Sequence, residues 1–156
     1  MSIIKVEQIG FKYNEHQVLK NVSFEVRRGE FMGILGPNGS GKTTLLNVID
    51  GILIPQEGEI WINGTSCNKL KRENLAKIIA VVPQESLMIF PFTVQEIVLM
   101  GRAPHLGKWR FEGETDFKIA HQAMEMTDTL SLMNRSMNAL SAGERQRVLI
   151  ARALAQ

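Results

Sequence analysis

Residues 18–26 place Val22, Phe24 and Val26 in alternation with Ser23, Glu25 and Arg27. This two-residue period marks a strand with one face buried and one solvated. Residues 3–9 read as a partner strand, so the chain is expected to begin with antiparallel sheet. After the turn at Arg27-Arg28-Gly29 the pattern changes. Residues 30–35, Glu-Phe-Met-Gly-Ile-Leu, run apolar on both faces, which predicts a buried parallel strand. Residues 57–64 predict another short strand closed by Asn63-Gly64, a strong turn signal. Residues 78–82, Ile-Ile-Ala-Val-Val, predict a further buried strand ended by Pro83.

Helical spacing takes over where a start signal precedes an apolar stripe. Leu45, Leu46 and Ile49 predict a helix over 43–50, with Gly51 able to stop it. Thr93 and Glu96 form a capping-box pattern ahead of Val94, Ile97 and Val98, and Gly101 lies past the end. Phe117, Ala120 and Met124 share one face of a predicted helix over 114–126, and 102–108, with Pro104 and Gly107, reads as a loop between these two helices. A third helix of this block starts at Ser141. The order is antiparallel strands, a strand-loop-helix unit, a returning strand and a helical block, without internal repeat or low-complexity segment.

The loop between the strand at 30–35 and the helix at 43–50 carries chemistry. It reads Gly36-Pro37-Asn38-Gly39-Ser40-Gly41-Lys42-Thr43, the pattern Gly-x-x-x-x-Gly-Lys-Ser/Thr. Glycines let such a loop curl and aim successive N–H groups at phosphate oxygens. The lysine reaches the β- and γ-phosphates, the hydroxyl of Thr43 serves Mg²⁺, and the following helix adds its positive end. A chance match in a chain of this length has odds on the order of one in a few hundred. The strand before and the helix after supply the context that the motif requires.

Composition narrows the partners. The chain has 156 residues, 44% hydrophobic and 22% charged, an ordinary globular balance for one domain. The net charge is +2, from 18 basic and 16 acidic residues, and no block of like charges points to nucleic acid. Lys5, Glu7, Lys12 and Glu15 interrupt the start, unlike a signal peptide, and the longest apolar stretches fall far short of the roughly 20 residues that span a bilayer. Any role at a membrane is expected to need a partner. One cysteine, Cys67, excludes an internal disulfide and a multi-thiolate site. His16, His105 and His121 show no metal-ligand spacing.

A second marker, Leu140-Ser141-Ala142-Gly143-Glu144-Arg145-Gln146-Arg147, is similar to the Leu-Ser-Gly-Gly-Gln/Glu signature of ABC transporter ATP-binding subunits. Ser141 and Glu144 alone fit a capping box and nothing more. Beside the phosphate loop, the chain resembles that family over its whole length. The resemblance implies an α/β fold, a P-loop NTPase of ABC ATPase type, with an antiparallel β subdomain, a partial parallel core sheet and a helical subdomain. It divides the chain into 1–84 (nucleotide-binding β and core part), 85–140 (helical subdomain) and 141–156 (signature helix).

The resemblance further implies that ATP and Mg²⁺ are the ligands. ATP would be held by Gly36, Asn38, Gly39, Ser40, Gly41, Lys42, Thr43 and Thr44, with Tyr13 stacking on adenine and Gln84 as the Q-loop glutamine. Thr43 and Gln84 would hold Mg²⁺. Leu140, Ser141, Ala142, Gly143 and Glu144 would meet the ATP of a second ATP-binding subunit, packed head to tail, through an open helix N-terminus with a free hydroxyl. Ala142 stands where glycine is usual, and its Cβ can crowd a phosphate. Transmembrane permease subunits are the other implied partners, at the cytoplasmic face of the cell membrane, with Leu87, Met88, Ile89, Phe90 and Phe92 part of the groove that receives them. The segment Met100 to Gly107 resembles importers of ferric siderophores, haem or cobalamin. No nucleic acid partner is expected.

In the family an apolar strand with aspartate and glutamate, and later a switch histidine, follow the signature helix. None occurs in residues 1–156, so no catalytic residue is assigned and the expectation is of an N-terminal part that holds ATP weakly without turning it over. The alternatives are a non-hydrolysing nucleotide-binding fragment and a non-transport ABC ATPase that acts on nucleic acid.

Overall fold

The computed structural model describes residues 2–84, 90–107 and 111–156. The chain forms two compact units, Met1–Leu75 and Ala76–Gln156.

The first unit is built on strands β1 (Ser2–Tyr13), β2 (His16–Arg27), β3 (Glu57–Ile62) and β4 (Thr65–Ser66) and helix α1 (Lys42–Ile49), followed by the short helix α2 (Arg72–Leu75). The sheet order is β2-β1-β3-β4 and every pair is antiparallel. The alternation read from residues 18–26 sets the register: Val22 faces Ile9, and Phe24 faces Val6. A register shift between Val6 and Ile9 puts Gln8 at φ 51°, where its N–H turns to the Ser23 hydroxyl at 2.8 Å. Both Asn63 and Gly64 have positive φ, 48° and 76°, as the two-residue turn between β3 and β4 demands. Val6, Ile9, Phe11, Leu19, Leu45, Val48, Ile49, Ile60 and Ile62 are buried.

The second unit packs three helices, α3 (Val94–Leu99), α4 (Glu114–Met126) and α5 (Ala142–Ala155). Its core joins Val94, Ile97 and Val98 of α3 to Ala120, Ala123 and Met124 of α4 and Val148, Leu149 and Ala151 of α5. All three helices begin with a side chain returned to the backbone. Thr93 and Glu96 form the expected reciprocal box at α3, Ser141 and Glu144 do so at α5, and Asp116 accepts the Gly113 N–H at α4, 3.0 Å away.

Several expectations are corrected. Residues 30–35 and 78–82 lie outside any strand. Phe31 and Leu35 are 98% and 94% exposed, and Ile78, Val81 and Val82 are also open to solvent. A parallel strand exists only through the ladder of its neighbours, and among the described residues no parallel pairing occurs. In α4, Phe117 is exposed and Ala123 takes the buried place, so the stripe runs through Ala120, Ala123 and Met124. Residues 102–108 are not simply a loop, because Met100–His105 winds as a 3₁₀ helix. Leu87, Met88, Ile89 and Lys108 lie outside the described residues.

Candidate functional site

The residues expected to bind phosphate sit between a free-running segment and α1. Gly36, Gly39 and Gly41 have φ of 158°, 81° and 88°. The last two lie in the left-handed region, where a side chain is strained. Ser40 N–H returns to the Pro37 carbonyl at 3.3 Å and closes the turn through Asn38 and Gly39. Gly41, the N-cap residue of α1, is pressed against β2: a Cβ there would lie 3.0 Å from Val18 Cγ1 and 3.2 Å from the Val18 carbonyl oxygen. The hairpin thereby fixes where the helix begins.

The start of α1 differs from that of α3, α4 and α5. It has no side-chain cap and no acidic residue in its first turn. Among the described residues, its leading N–H groups and its positive end therefore have no side-chain acceptor. Lys42 stands half-buried at the first helical position, and its Nζ donates to the Gly36 and Pro37 carbonyls at 2.8 and 2.7 Å. The ammonium is folded onto the loop it belongs to. Thr43 is exposed in the same turn, and Thr44 is buried. Left-handed glycines, an uncapped helix start and a lysine held over the loop fit a polyphosphate.

Tyr13 ends β1 half-exposed, its ring edge-on to buried Phe11 with centroids 4.9 Å apart. An accessible ring face held by a buried neighbour can stack on a flat ligand. Gln84 belongs to the second unit and is exposed at a bend. Phe90 is exposed and Phe92 half-buried, with ring centroids 6.0 Å apart.

In the second unit, Leu140 is buried and anchors the turn that leads into α5, while Ser141, Ala142 and Gly143 are exposed. The Ser141 hydroxyl is not free, because it donates to Glu144 Oε2 at 2.6 Å and accepts from the Glu144 N–H at 3.3 Å. A ligand at this turn would have to share the hydroxyl with the cap. Donation from the Ser141 hydroxyl and from the Ser141 N–H, 2.8 Å away, holds the Glu144 carboxyl below its usual range, and Arg135 and Arg147 add a favourable field. A Cβ on Gly143 would meet nothing within 4 Å. Packing within this chain does not require glycine there, and Ala142, equally exposed, leaves the fold undisturbed. Cys67 starts the 3₁₀ turn Cys67–Lys69 half-buried, and burial raises its thiol pKa. Among the described residues no cluster of three histidine, cysteine or acidic side chains could hold a metal.

Two residues of the second unit are not marked by the sequence pattern. Arg102 and Asp116 pair at 2.9 Å with side chains only 11% and 15% exposed. Their separation along the chain follows no local rule that could have linked them.

The protein-family description "ABC transporter" matches residues 19–156. The chain belongs to the ABC transporter family. It is 42% identical over 154 residues to an uncharacterized ABC transporter ATP-binding protein, YvrA, of Bacillus subtilis, covering 98% of this chain and 35% of that protein. It is 41% identical over 140 residues to the cobalamin import ATP-binding protein BtuD of Halobacterium salinarum, covering 90% of this chain and 35% of that one. With the hemin import ATP-binding protein HmuV of Pseudomonas entomophila it shares 39% identity over 155 residues, 99% of this chain and 59% of the relative. A nucleotide-free ATP-binding cassette from an ABC transporter superposes with a TM-score of 0.86 at 30% identity, over 99% of this chain and 65% of that structure. This ABC chain thus has the P-loop ATPase fold of the family and spans roughly a third to three-fifths of these curated relatives. Among the described residues, no helix is long and apolar enough to cross a membrane.

Proposed function

We propose that this chain is the ATP-holding part of an energy-coupling subunit of an ABC importer, with a cargo of the ferric-siderophore, haem or cobalamin class. One observation carries the reading: α1 starts without cap or acidic side chain at the end of a loop with two left-handed glycines, and Lys42 lies over that loop. In this reading the N–H groups of Gly39 to Thr44 surround the phosphates. Lys42 exchanges two carbonyls for phosphate oxygens, and Tyr13 covers the adenine. Thr43 and Gln84 would hold Mg²⁺, which offsets phosphate charge when bound. Leu140 to Glu144 serves the ATP of a second ATP-binding subunit, and permease subunits anchor the pair to the cytoplasmic face of the membrane. We assign no catalytic residue within residues 1–156. The names of BtuD and HmuV support the cargo class.

Titration of the chain with a fluorescent ATP analogue in the presence and absence of Mg²⁺ tests the assignment. Lys42→Ala is expected to weaken binding at least tenfold, through loss of a charge-assisted contact to phosphate. Equal binding by Lys42→Ala and the unsubstituted chain would refute the placement of ATP on this loop. Co-expression with a permease of a chelate importer, followed by detergent co-purification, tests the partner. Salt-sensitive retention of nucleic acid instead would favour the non-transport alternative.

A further inference from the structure

The 3₁₀ segment Met100–His105 lies against the C-terminal end of α5. Gly101 is buried there, and a Cβ on it would stand 2.2 Å from the Arg152 carbonyl oxygen. Only a residue without a side chain lets the two backbones approach so closely. Arg102 spans two elements from this position. Its Nε donates to Asp116 Oδ1 at 2.9 Å, and its Nη1 to the Ala155 carbonyl at 2.7 Å. Asp116 is in turn fixed by the Gly113 N–H at 3.0 Å. His105 bonds through Nε2 to the Gln156 carbonyl. Arg102 thereby ties the 3₁₀ segment both to α4, through Asp116, and to α5, through the Ala155 carbonyl. A planar fork can hold a carboxylate and a carbonyl at once, which an ammonium on a flexible stem does less well.

The opposite end of the same helix carries Ser141 to Glu144. α5 has 14 residues, which at about 1.5 Å per residue makes a rod of roughly 21 Å. Val148, Leu149 and Ala151 seat this rod sideways in the core, and a bond at Ala155 adds a stop along its axis and about it, which the first turn shares.

We propose that Gly101, Arg102 and His105 form a clasp on the C-terminal end of α5, and that Arg102 is a positioning residue for the Ser141–Glu144 turn. The segment that resembles cargo-specific importers then has its task inside this chain. That the turn serves a partner's ATP rests on the function proposed above; the clasp itself does not.

Backbone amide exchange and nucleotide-driven self-association, measured on the full chain carrying Arg102→Ala, Arg102→Lys or Asp116→Asn, test this. In Arg102→Ala, exchange should rise at least tenfold at 150–155 and at least threefold at 142–145, while Ile97, Val98 and Leu99 of α3 change less than twofold. Arg102→Lys should recover part of the protection. MgATP binding to the single chain should stay within twofold of the unsubstituted value, while MgATP-dependent association weakens at least tenfold. Unchanged exchange at 142–145 in all three variants, or an equal rise across α3, α4 and α5, would overturn the clasp. Should Arg102→Ala fail to fold, Arg102→Lys and Asp116→Asn carry the same comparison. If the unsubstituted chain binds no MgATP, the proposed function falls, and exchange at 142–145 still decides the clasp.

Discussion

Two glycines of the second unit show how one residue type answers to different constraints. Gly101 has the Arg152 carbonyl oxygen 2.2 Å from where a Cβ would be, whereas Gly143 has nothing within 4 Å. Gly101→Ala must push α5 aside and should cost about 1–3 kcal/mol, the range for overpacking. Gly143→Ala, in the first turn of α5, should leave stability unchanged or raise it by up to about 1 kcal/mol, because alanine is the better helix former. Chemical denaturation of both variants checks the contrast. If Gly143 matters to an incoming phosphate, Gly143→Ala will weaken MgATP-dependent association without loss of stability. Sequence alone marks both as glycines near a helix and cannot separate them, since the oxygen facing Gly101 belongs to a residue 51 positions later.

At the scale of elements, legibility depended on whether the determinants were local. The alternation in β2, the Asn63-Gly64 turn and the Thr93/Glu96 and Ser141/Glu144 boxes are each encoded within a few residues, and each occurs as read. The tight winding of the Gly36–Thr43 loop was legible for the same reason, since its left-handed glycines and Lys42 act within one turn. Residues 30–35 and 78–82 announce burial by composition, but burial as a strand needs neighbours that a local pattern does not contain. The Arg102–Asp116 pair was hidden by its long-range character, and the 3₁₀ winding at Met100–His105 went with it.

The capping boxes also predict a pH response. Bonds from Thr93 and from Ser141 lower the carboxyl pKa of Glu96 and Glu144 beneath their ordinary 4.5. A depressed folded-state pKa adds stability that is fully present above the ordinary value and is lost as pH falls through the lowered one. The helical signal and the melting temperature should therefore hold from pH 7 to about pH 5 and fall below about 4.5. Glu144→Gln retains a box-forming side chain that does not titrate, so acid should take less from α5 in that variant. Circular dichroism melts at pH 6, 4 and 3 give the comparison.

For the whole molecule, the open apolar side chains set the behaviour in solution. Phe31 and Leu35 in the first unit, and Ile78 and Val81 in the second, expose surface of the kind that promotes association. A net charge of +2 gives little repulsion to oppose it. The chain should bind a hydrophobic dye in its folded state and self-associate more readily as salt rises. The run from Phe31 to Leu35 belongs to no strand or helix, and both of its ends are exposed. A protease needs a stretch of backbone free of ladder bonds to thread its cleft, and an aromatic residue is what chymotrypsin seeks. Limited digestion should therefore nick the chain after Phe31, parting the β1–β2 hairpin from the Gly36–Thr43 loop, as well as after Phe111, which is equally open and free of ladder bonds. Because only four residues separate the cut after Phe31 from Gly36, a nucleotide held as proposed on that loop should slow it, and the rate of one peptide-bond cleavage becomes a gauge of occupancy that requires no labelled ligand.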